Sequence, residues 1–399
     1  MTETTNAGSW VRSWGASPQA AHDGLGSLDG HLPFADVTLR QVVRISGGGS
    51  RVRVRFTNEF GTAPFDIGAA RVGLAAPGGG VQPGSERVLT FSGAPQVTVP
   101  AGAPILSDPV DLPLPALAKL SISLHLPGRV ENCTCHDPAL ETGWTIPGDA
   151  VAALTLPENA EVLPVRALLS AVELLPDAPA RTIVVVGDSR TDGAGSTPDT
   201  NHSWPELLAA RLAERGVAAG YVSNQGISGN RMLYDGIGAA ALARFDRDVL
   251  ATPGLGYVVL SVGANDIAIS FAPRDDDGPL AGFLKMFPGA PVTTDDVIAG
   301  YRQLIARARE RGVRVYGTTI APYEGAEVFT PEGESARRTV NDWIRTGGAF
   351  DAVLDFDAVW RDPDHPGRIR ADFHCGDHVH GSDAGYQALA DSVDLSLFG

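Results

Sequence analysis

Four short segments carry residues that could do chemistry together. The first, Gly187-Asp188-Ser189-Arg190, follows directly on the apolar run 183–186. A serine at the carboxyl end of a buried strand, on a loop entering a helix, stands where a sheet presents reactive groups, and small neighbours let a substrate come close. Gly, Asp and Ser are also ordinary turn residues, so the tetrapeptide alone leaves a plain strand-to-helix turn open. It is not the Gly-x-Ser-x-Gly elbow, because Thr191 occupies the place of the second glycine. Gly193 and Gly195 do not complete a Gly-x-Gly-x-x-Gly fingerprint, and there is no Gly-Lys-Ser/Thr phosphate loop.

The second segment, Asp377-His378-Val379-His380, precedes the last expected helix. An imidazole takes a serine proton efficiently when a carboxylate fixes its tautomer and stabilises the imidazolium. Asp377 and His380, three residues apart, can make that contact within one loop. Zinc competes for the same stretch, because His374, Cys375, Asp377, His378 and His380 offer five ligands within seven residues. On density alone, metal site, triad partner and solvated loop all stay open. Neither His-Glu-x-x-His nor paired Cys-x-x-Cys supports zinc elsewhere.

The third and fourth segments are Asn224-Gln225-Gly226-Ile227-Ser228-Gly229-Asn230 and Gly263-Ala264-Asn265-Asp266. Acyl transfer develops negative charge on a carbonyl oxygen, and a site must aim fixed N–H donors at it. A glycine N–H and an asparagine amide are suitable donors, although each segment alone also reads as a turn. Together with the serine segment they end successive expected strands on one edge of one sheet.

The elements that must hold these loops change character near residue 175. Over 39–127 the hydrophobic pattern has period two. Val42, Ile45, Val52, Val54 and Phe56 alternate with Arg44, Arg51, Arg53 and Arg55 around the turn Gly47-Gly48-Gly49. Further short runs at 65–74, 87–91, 96–99 and 119–126 are punctuated by Pro and Gly, which predicts an all-β sandwich of jelly-roll type. After Pro176-Asp177-Ala178-Pro179 the run 182–186 is continuously apolar, as in a parallel strand buried on both faces. Ser203-Trp204-Pro205-Glu206 predicts a capping box opening a helix to about 215. Strands are predicted at 220–223, 257–262, 313–320 and 352–356, and helices at 296–311, 334–345 and 383–394. This alternation gives an α/β sandwich with ligands at the carboxyl ends of its strands. The predicted division is a β-domain over 1–178 and an α/β domain over 179–399.

Composition narrows the classes of function. The chain has 399 residues, 43% hydrophobic and 20% charged, which excludes wholesale disorder. Lys and Arg number 31 against 47 Asp and Glu, a formal charge of −16. Such a surface disfavours nucleic acid and anionic membranes as partners and suits neutral or cationic small molecules. No apolar run is long enough for a membrane span. The first ten residues show no secretory signal, and three cysteines make no complete disulfide framework. The expectation is a cytoplasmic protein with reduced thiols, a secreted form being left open.

Taken together, the four segments resemble the blocks of the SGNH hydrolase superfamily, also called GDSL esterases. The resemblance makes Ser189 the nucleophile, Asp377 and His380 its acid and base, and the Ser189 and Gly229 N–H groups with the Asn265 amide the oxyanion donors. It implies a flavodoxin-like three-layer α/β/α fold and ester hydrolysis with no metal and no cofactor. Three positions depart from the family pattern. Arg190 stands where leucine is usual, so a cation is expected to border the site. Asn230 replaces a common aspartate, and Gly381-Ser382 follows His380 in place of a proline. Trp14-Gly15-Ala16-Ser17-Pro18 and Leu39-Arg40-Gln41-Val42-Val43-Arg44 resemble the β-domain of two-domain actinobacterial members.

The function expected is therefore a serine esterase acting on short acyl groups, acetyl above all, with acetylated carbohydrate as one substrate class. Two alternatives stand beside it: a carbohydrate-binding protein with a degenerate hydrolase domain, and a zinc hydrolase using the 374–380 segment. The β-domain is expected to be scaffold that buries one face of the hydrolase and roofs its cleft. Phe271, Phe283 and Phe287, in the insertion after Asn265, read as packing residues ahead of a lid. Asp275-Asp276-Asp277 reads as a solvated acidic loop ahead of a calcium site.

Overall fold

A computed structural model of the protein describes residues 9–21, 26–28, 30–218, 220–274, 277–278 and 280–399. The N-terminal part is built of antiparallel strands. The longer ones are β1 (Val11–Gly15), β2 (Phe34–Arg44), β3 (Gly49–Thr57), β4 (Ala69–Ala76), β5 (Lys119–Val130), β6 (Gly143–Pro147) and β7 (Leu169–Leu175). One sheet runs β1-β7-β3 and the other β6-β2-β5-β4, each extended by short strands. The alternation read in 49–57 holds: Val52, Val54 and Phe56 are buried between the sheets, while Arg51, Arg53 and Arg55 lie half-buried on the opposite face. Those arginines find carboxylates, Arg53 on Glu173 at 2.6 Å and Arg55 on Glu59 at 3.1 Å. The Gly47–Gly49 turn closes no hairpin. It carries the chain from the β2 sheet to the β3 sheet, which is how two alternating strands come to face one another across a sandwich core.

The C-terminal part holds five parallel strands: β8 (Thr182–Gly187), β9 (Tyr221–Gly226), β10 (Leu255–Ser261), β11 (Arg314–Thr318) and β12 (Ala352–Leu354). Their order, β9-β8-β10-β11-β12, is that of flavodoxin-like sheets, whose ligand crevice opens where the chain switches direction beside the first strand. That point lies at the carboxyl end of β8. The continuous apolar run of β8 is needed because both faces are covered. Ile183 and Val185 pack with Trp204, Leu208 and Tyr386. Val184 and Val186 pack with Val297, Tyr301, Leu304 and Val340. The main helices are α1 (Ser189–Asp192), α2 (Trp204–Glu214), α3 (Ala264–Phe271), α4 (Thr294–Arg309), α5 (Pro331–Thr346) and α6 (Asp383–Ser392). The three-layer α/β/α arrangement expected from the sequence is present.

Local differences have local causes. The strand expected at 352–356 ends at Leu354, because the Asp355 carboxylate accepts from Ala358 N at 3.2 Å and caps the short helix Phe356–Trp360. The capping box expected at Ser203–Glu206 does not form. Ser203 Oγ instead donates to Glu206 Oε2 at 2.9 Å, and Asn201 Nδ2 donates to the same carboxylate at 3.0 Å, so the half-buried acid absorbs both polar groups. The capping box belongs instead to α4, between Thr293 and Asp296, and starts that helix at Thr294. No helix among the described residues is long and apolar enough to cross a membrane.

The two parts meet along the open edge of the parallel sheet. Tyr221 of β9 inserts into the sandwich core and its hydroxyl donates to the Gly48 carbonyl. Ser46 Oγ accepts from Val222 N at 2.8 Å and donates to Ser13 O at 2.7 Å. Arg12 N donates to Thr182 Oγ1 at 3.1 Å. The sandwich thus seals a sheet edge, where unpaired backbone groups would otherwise be exposed.

Candidate active site

All four segments open into one cavity of about 690 Å³ at the carboxyl edge of the parallel sheet. Ser189, Ser228, Gly229, Asn265, Asp377 and His380 are all in its wall. Ser189 is the first residue of α1, and Asp188 caps that turn by accepting from Arg190 N at 3.1 Å. Glycine is required just before, because a Cβ at Gly187 would stand 2.0 Å from Thr191 Oγ1 and 2.8 Å from Ser261 O. Burial pushes the Asp188 carboxyl above its ordinary pKa.

Ser189 Oγ lies 2.8 Å from His380 Nε2, and His380 Nδ1 lies 2.6 Å from Asp377 Oδ2. A carboxylate can only accept, so Nδ1 carries the ring proton and Nε2 is left to accept from the serine hydroxyl. The other Asp377 oxygen accepts from the N–H groups of Val379 and His380, both at 2.8 Å. Burial works against the Asp377 charge, but the His380 bond and these two N–H groups outweigh it and hold the carboxyl well below the usual range.

The two loops expected to supply N–H donors flank the serine. Gly229 has φ +79°, and a Cβ there would meet Ile237 Cδ1 at 2.6 Å, so only glycine fits. Asn265 Nδ2 donates to Asn230 O at 2.9 Å, which leaves its second N–H for another acceptor. Asp266 locks the same two loops together, accepting from Met232 N at 2.7 Å and Leu233 N at 3.0 Å. Asn230 spans its own loop, taking Arg244 on Oδ1 and donating to Ala239 O at 2.9 Å. Ser382, the second residue after His380, caps α6 through Gly385 N.

A family model, that of the GDSL-like lipase/acylhydrolase family, matches residues 185–388, more than half of the chain. The chain belongs to the GDSL-like lipase/acylhydrolase family. It is a carboxylic ester hydrolase of that family. Several solved structures are similar to it, and each covers 53% of this chain and 96% of its own. An acetyl xylan esterase, AlAXEase, is 22% identical with a TM-score of 0.39. TesA is 23% identical with a TM-score of 0.37. A lipolytic protein of the G-D-S-L family from Desulfitobacterium hafniense DCB-2 is 20% identical with a TM-score of 0.38. No curated protein matches the chain.

Where the GDSL pattern has leucine, Arg190 stands in the wall of this cavity, the bordering cation expected from the sequence. It is 9% exposed, and its guanidinium donates to Val379 O at 2.9 Å, Ala321 O at 3.1 Å and Pro322 O at 3.4 Å. Its charge is thus spent on carbonyls, tying the His380 loop to the loop after β11. The 374–380 segment is turned to the same purpose. His374 Nδ1 accepts from Gly376 N at 3.0 Å and its ring packs on His378 at 4.5 Å. Among the described residues, no three His, Cys, Asp or Glu side chains are grouped to hold a metal. Phe287 is buried in a small apolar cluster with Ile227, Ile237 and Ile269, whereas Phe283 is in the cavity wall. Phe271 packs against the core under α3 to α5. Asp275 and Asp276 lie outside the described residues. Cys375 is exposed, while Cys133 and Cys135 are buried in the sandwich. The sequence reading missed the carbonyl clamp of Arg190, because it joins positions far apart in the chain.

Proposed function

We propose that this family member is a serine esterase in which His380, oriented by Asp377, takes the Ser189 proton as Oγ attacks an ester carbonyl. The developing oxyanion is met by the N–H groups of Ser189 and Gly229 and by the free N–H of Asn265. Collapse, with His380 giving that proton to the leaving oxygen, releases the alcohol and leaves an acyl-enzyme. Water, deprotonated by His380, then releases the acid. The hydrogen-bonded chain from Ser189 through His380 to Asp377 carries this reading. The division into a sandwich over 1–178 and a hydrolase domain over 179–399 is part of it.

The cavity wall supports a reading of the acyl preference. Ile237, Ile269, Leu280, Phe283 and Val328 line it together with Gly229 and Asn265. They come from four separate stretches of chain and become one apolar surface only on folding. That surface is larger than an acetyl group can use, and it favours butyryl to octanoyl over the acetyl group expected from sequence. Each methylene buried is worth about 0.8 kcal/mol, or up to roughly fourfold in kcat/KM. The test is hydrolysis of p-nitrophenyl acetate, butyrate, octanoate and palmitate by wild type and Ser189→Ala. Rates rising from acetate to octanoate, and abolished in the folded mutant, are expected. Retention of most of the rate by Ser189→Ala would refute the serine mechanism. A rate falling steadily from acetate would restore the acetyl preference.

A further inference from the structure

The strand Thr134–His136 belongs to a small three-stranded sheet at the sandwich edge, between Gln19–Ala20 and Arg166–Ala167. It carries a buried histidine toward the α/β part. His136 Nε2 lies 3.0 Å from Asp192 Oδ1, and Nδ1 lies 3.1 Å from the Ser17 carbonyl. Carbonyl and carboxylate only accept, so both ring nitrogens donate and the ring is an imidazolium. Burial disfavours that charge, but Asp192 and the Ser17 carbonyl prevail over it and over nearby Arg166, raising the pKa above its ordinary value.

Asp192 ends α1, the turn that starts with Ser189. Its second oxygen accepts from Ser228 N at 3.1 Å and Ser228 Oγ at 2.7 Å. Ser228 immediately precedes Gly229. On the other side of that glycine, Arg244 holds Asn230 Oδ1 at 3.1 Å and donates to Ser17 Oγ at 2.6 Å. Both neighbours of Gly229 are therefore tied back to Ser17, one through Asp192 and His136, the other through Arg244. We propose that His136, supplied by the β-sandwich, is a positioning residue for the oxyanion loop: through Asp192 it sets Ser228 and so aims the Gly229 N–H at the reacting carbonyl. This rests on the serine-esterase reading above. It gives the sandwich a part in the chemistry beyond scaffold, since a donor displaced by even a fraction of an ångström loses much of its worth to the transition state.

The experiment measures kcat and KM of the full-length chain on p-nitrophenyl butyrate for wild type, His136→Gln, His136→Asn, Ser228→Ala and Ser189→Ala. A glutamine amide reaches the Nε2 position and can still donate to Asp192, whereas an asparagine amide reaches only the Nδ1 position. Expected for His136→Asn is a kcat about 10- to 100-fold lower with KM within about twofold, because the donor acts in the transition state. His136→Gln should stay within about fivefold of wild type. Equal losses in Gln and Asn, a loss expressed in KM, or wild-type kcat in a folded Asn variant would each overturn the proposal. Should His136→Asn not fold, Ser228→Ala decides: it removes one oxygen and should lower kcat about threefold, and an unchanged kcat overturns the proposal. Ser189→Ala separates the two readings. If it is inactive while the other variants match wild type, only the positioning role falls. If it remains active, both fall.

Discussion

Asp377 accepts two backbone N–H groups on one oxygen and the imidazole on the other, so its charge is satisfied inside a single turn. That leaves His380 a single tautomer and directs Nε2 at Ser189. Asn265 is the side chain whose contribution is most separable from this chain of bonds, because one N–H holds Asn230 O, the other is left to a further acceptor, and the residue lines the cavity. Asn265→Ala should lower kcat by about 100- to 1,000-fold with little change in KM, since an oxyanion donor acts on charge that exists only in the transition state. Steady-state kinetics on one p-nitrophenyl ester checks it, and a loss confined to KM would assign the amide to ground-state binding.

The loops after β9 and β10 are held against each other chiefly by Asp266, which is buried on α3 and accepts the Met232 and Leu233 N–H groups. Burial raises its carboxyl to about 6, against the pull of those two N–H groups and of Arg231. A raised carboxyl pKa works opposite to the usual salt-bridged acid. Below about pH 4 both folded and unfolded chains are protonated there and its contribution is full. Between about 4 and 6 the unfolded chain ionises first and stability falls, by up to about 3 kcal/mol for a shift of two pH units. Chemical denaturation of wild type and Asp266→Asn across pH 4 to 7 isolates this group. The stability difference should shrink in that window by an amount of that order, and a difference independent of pH would contradict it.

At the scale of the whole molecule, the sandwich completes the edge strand of the hydrolase sheet. Ser46 is the hinge of that contact, since its hydroxyl takes the Val222 N–H and gives its own proton to the Ser13 carbonyl. Ser46→Ala leaves a buried N–H without a partner and should cost about 1–3 kcal/mol of unfolding free energy. The loss should appear as one earlier transition in both far-UV circular dichroism and tryptophan fluorescence, because the edge belongs to both parts. Two separated transitions would show that the sandwich and the α/β sheet unfold independently.

What could be read from residues alone was whatever is encoded locally. The period-two pattern of 39–127, the unbroken apolar run of β8, and the Asp377–His380 pair three residues apart each need only neighbours in sequence, and each is found in the structure. So was the order of the four blocks, because parallel strands place successive loops on one edge. The capping box at Ser203 failed for the complementary reason: Asn201 and Ser203 donate to the half-buried Glu206 carboxylate instead of serving the helix end. Beyond reach were contacts that join distant parts of the chain. Arg190 clamps a carbonyl 189 positions away, and His136 meets Asp192 across 56 positions. The apolar cavity wall gathers side chains from 237 to 328. Residue type and spacing state which groups can react, but the distance between groups far apart in sequence exists only once both cores have packed and the sandwich has closed on the edge of the sheet.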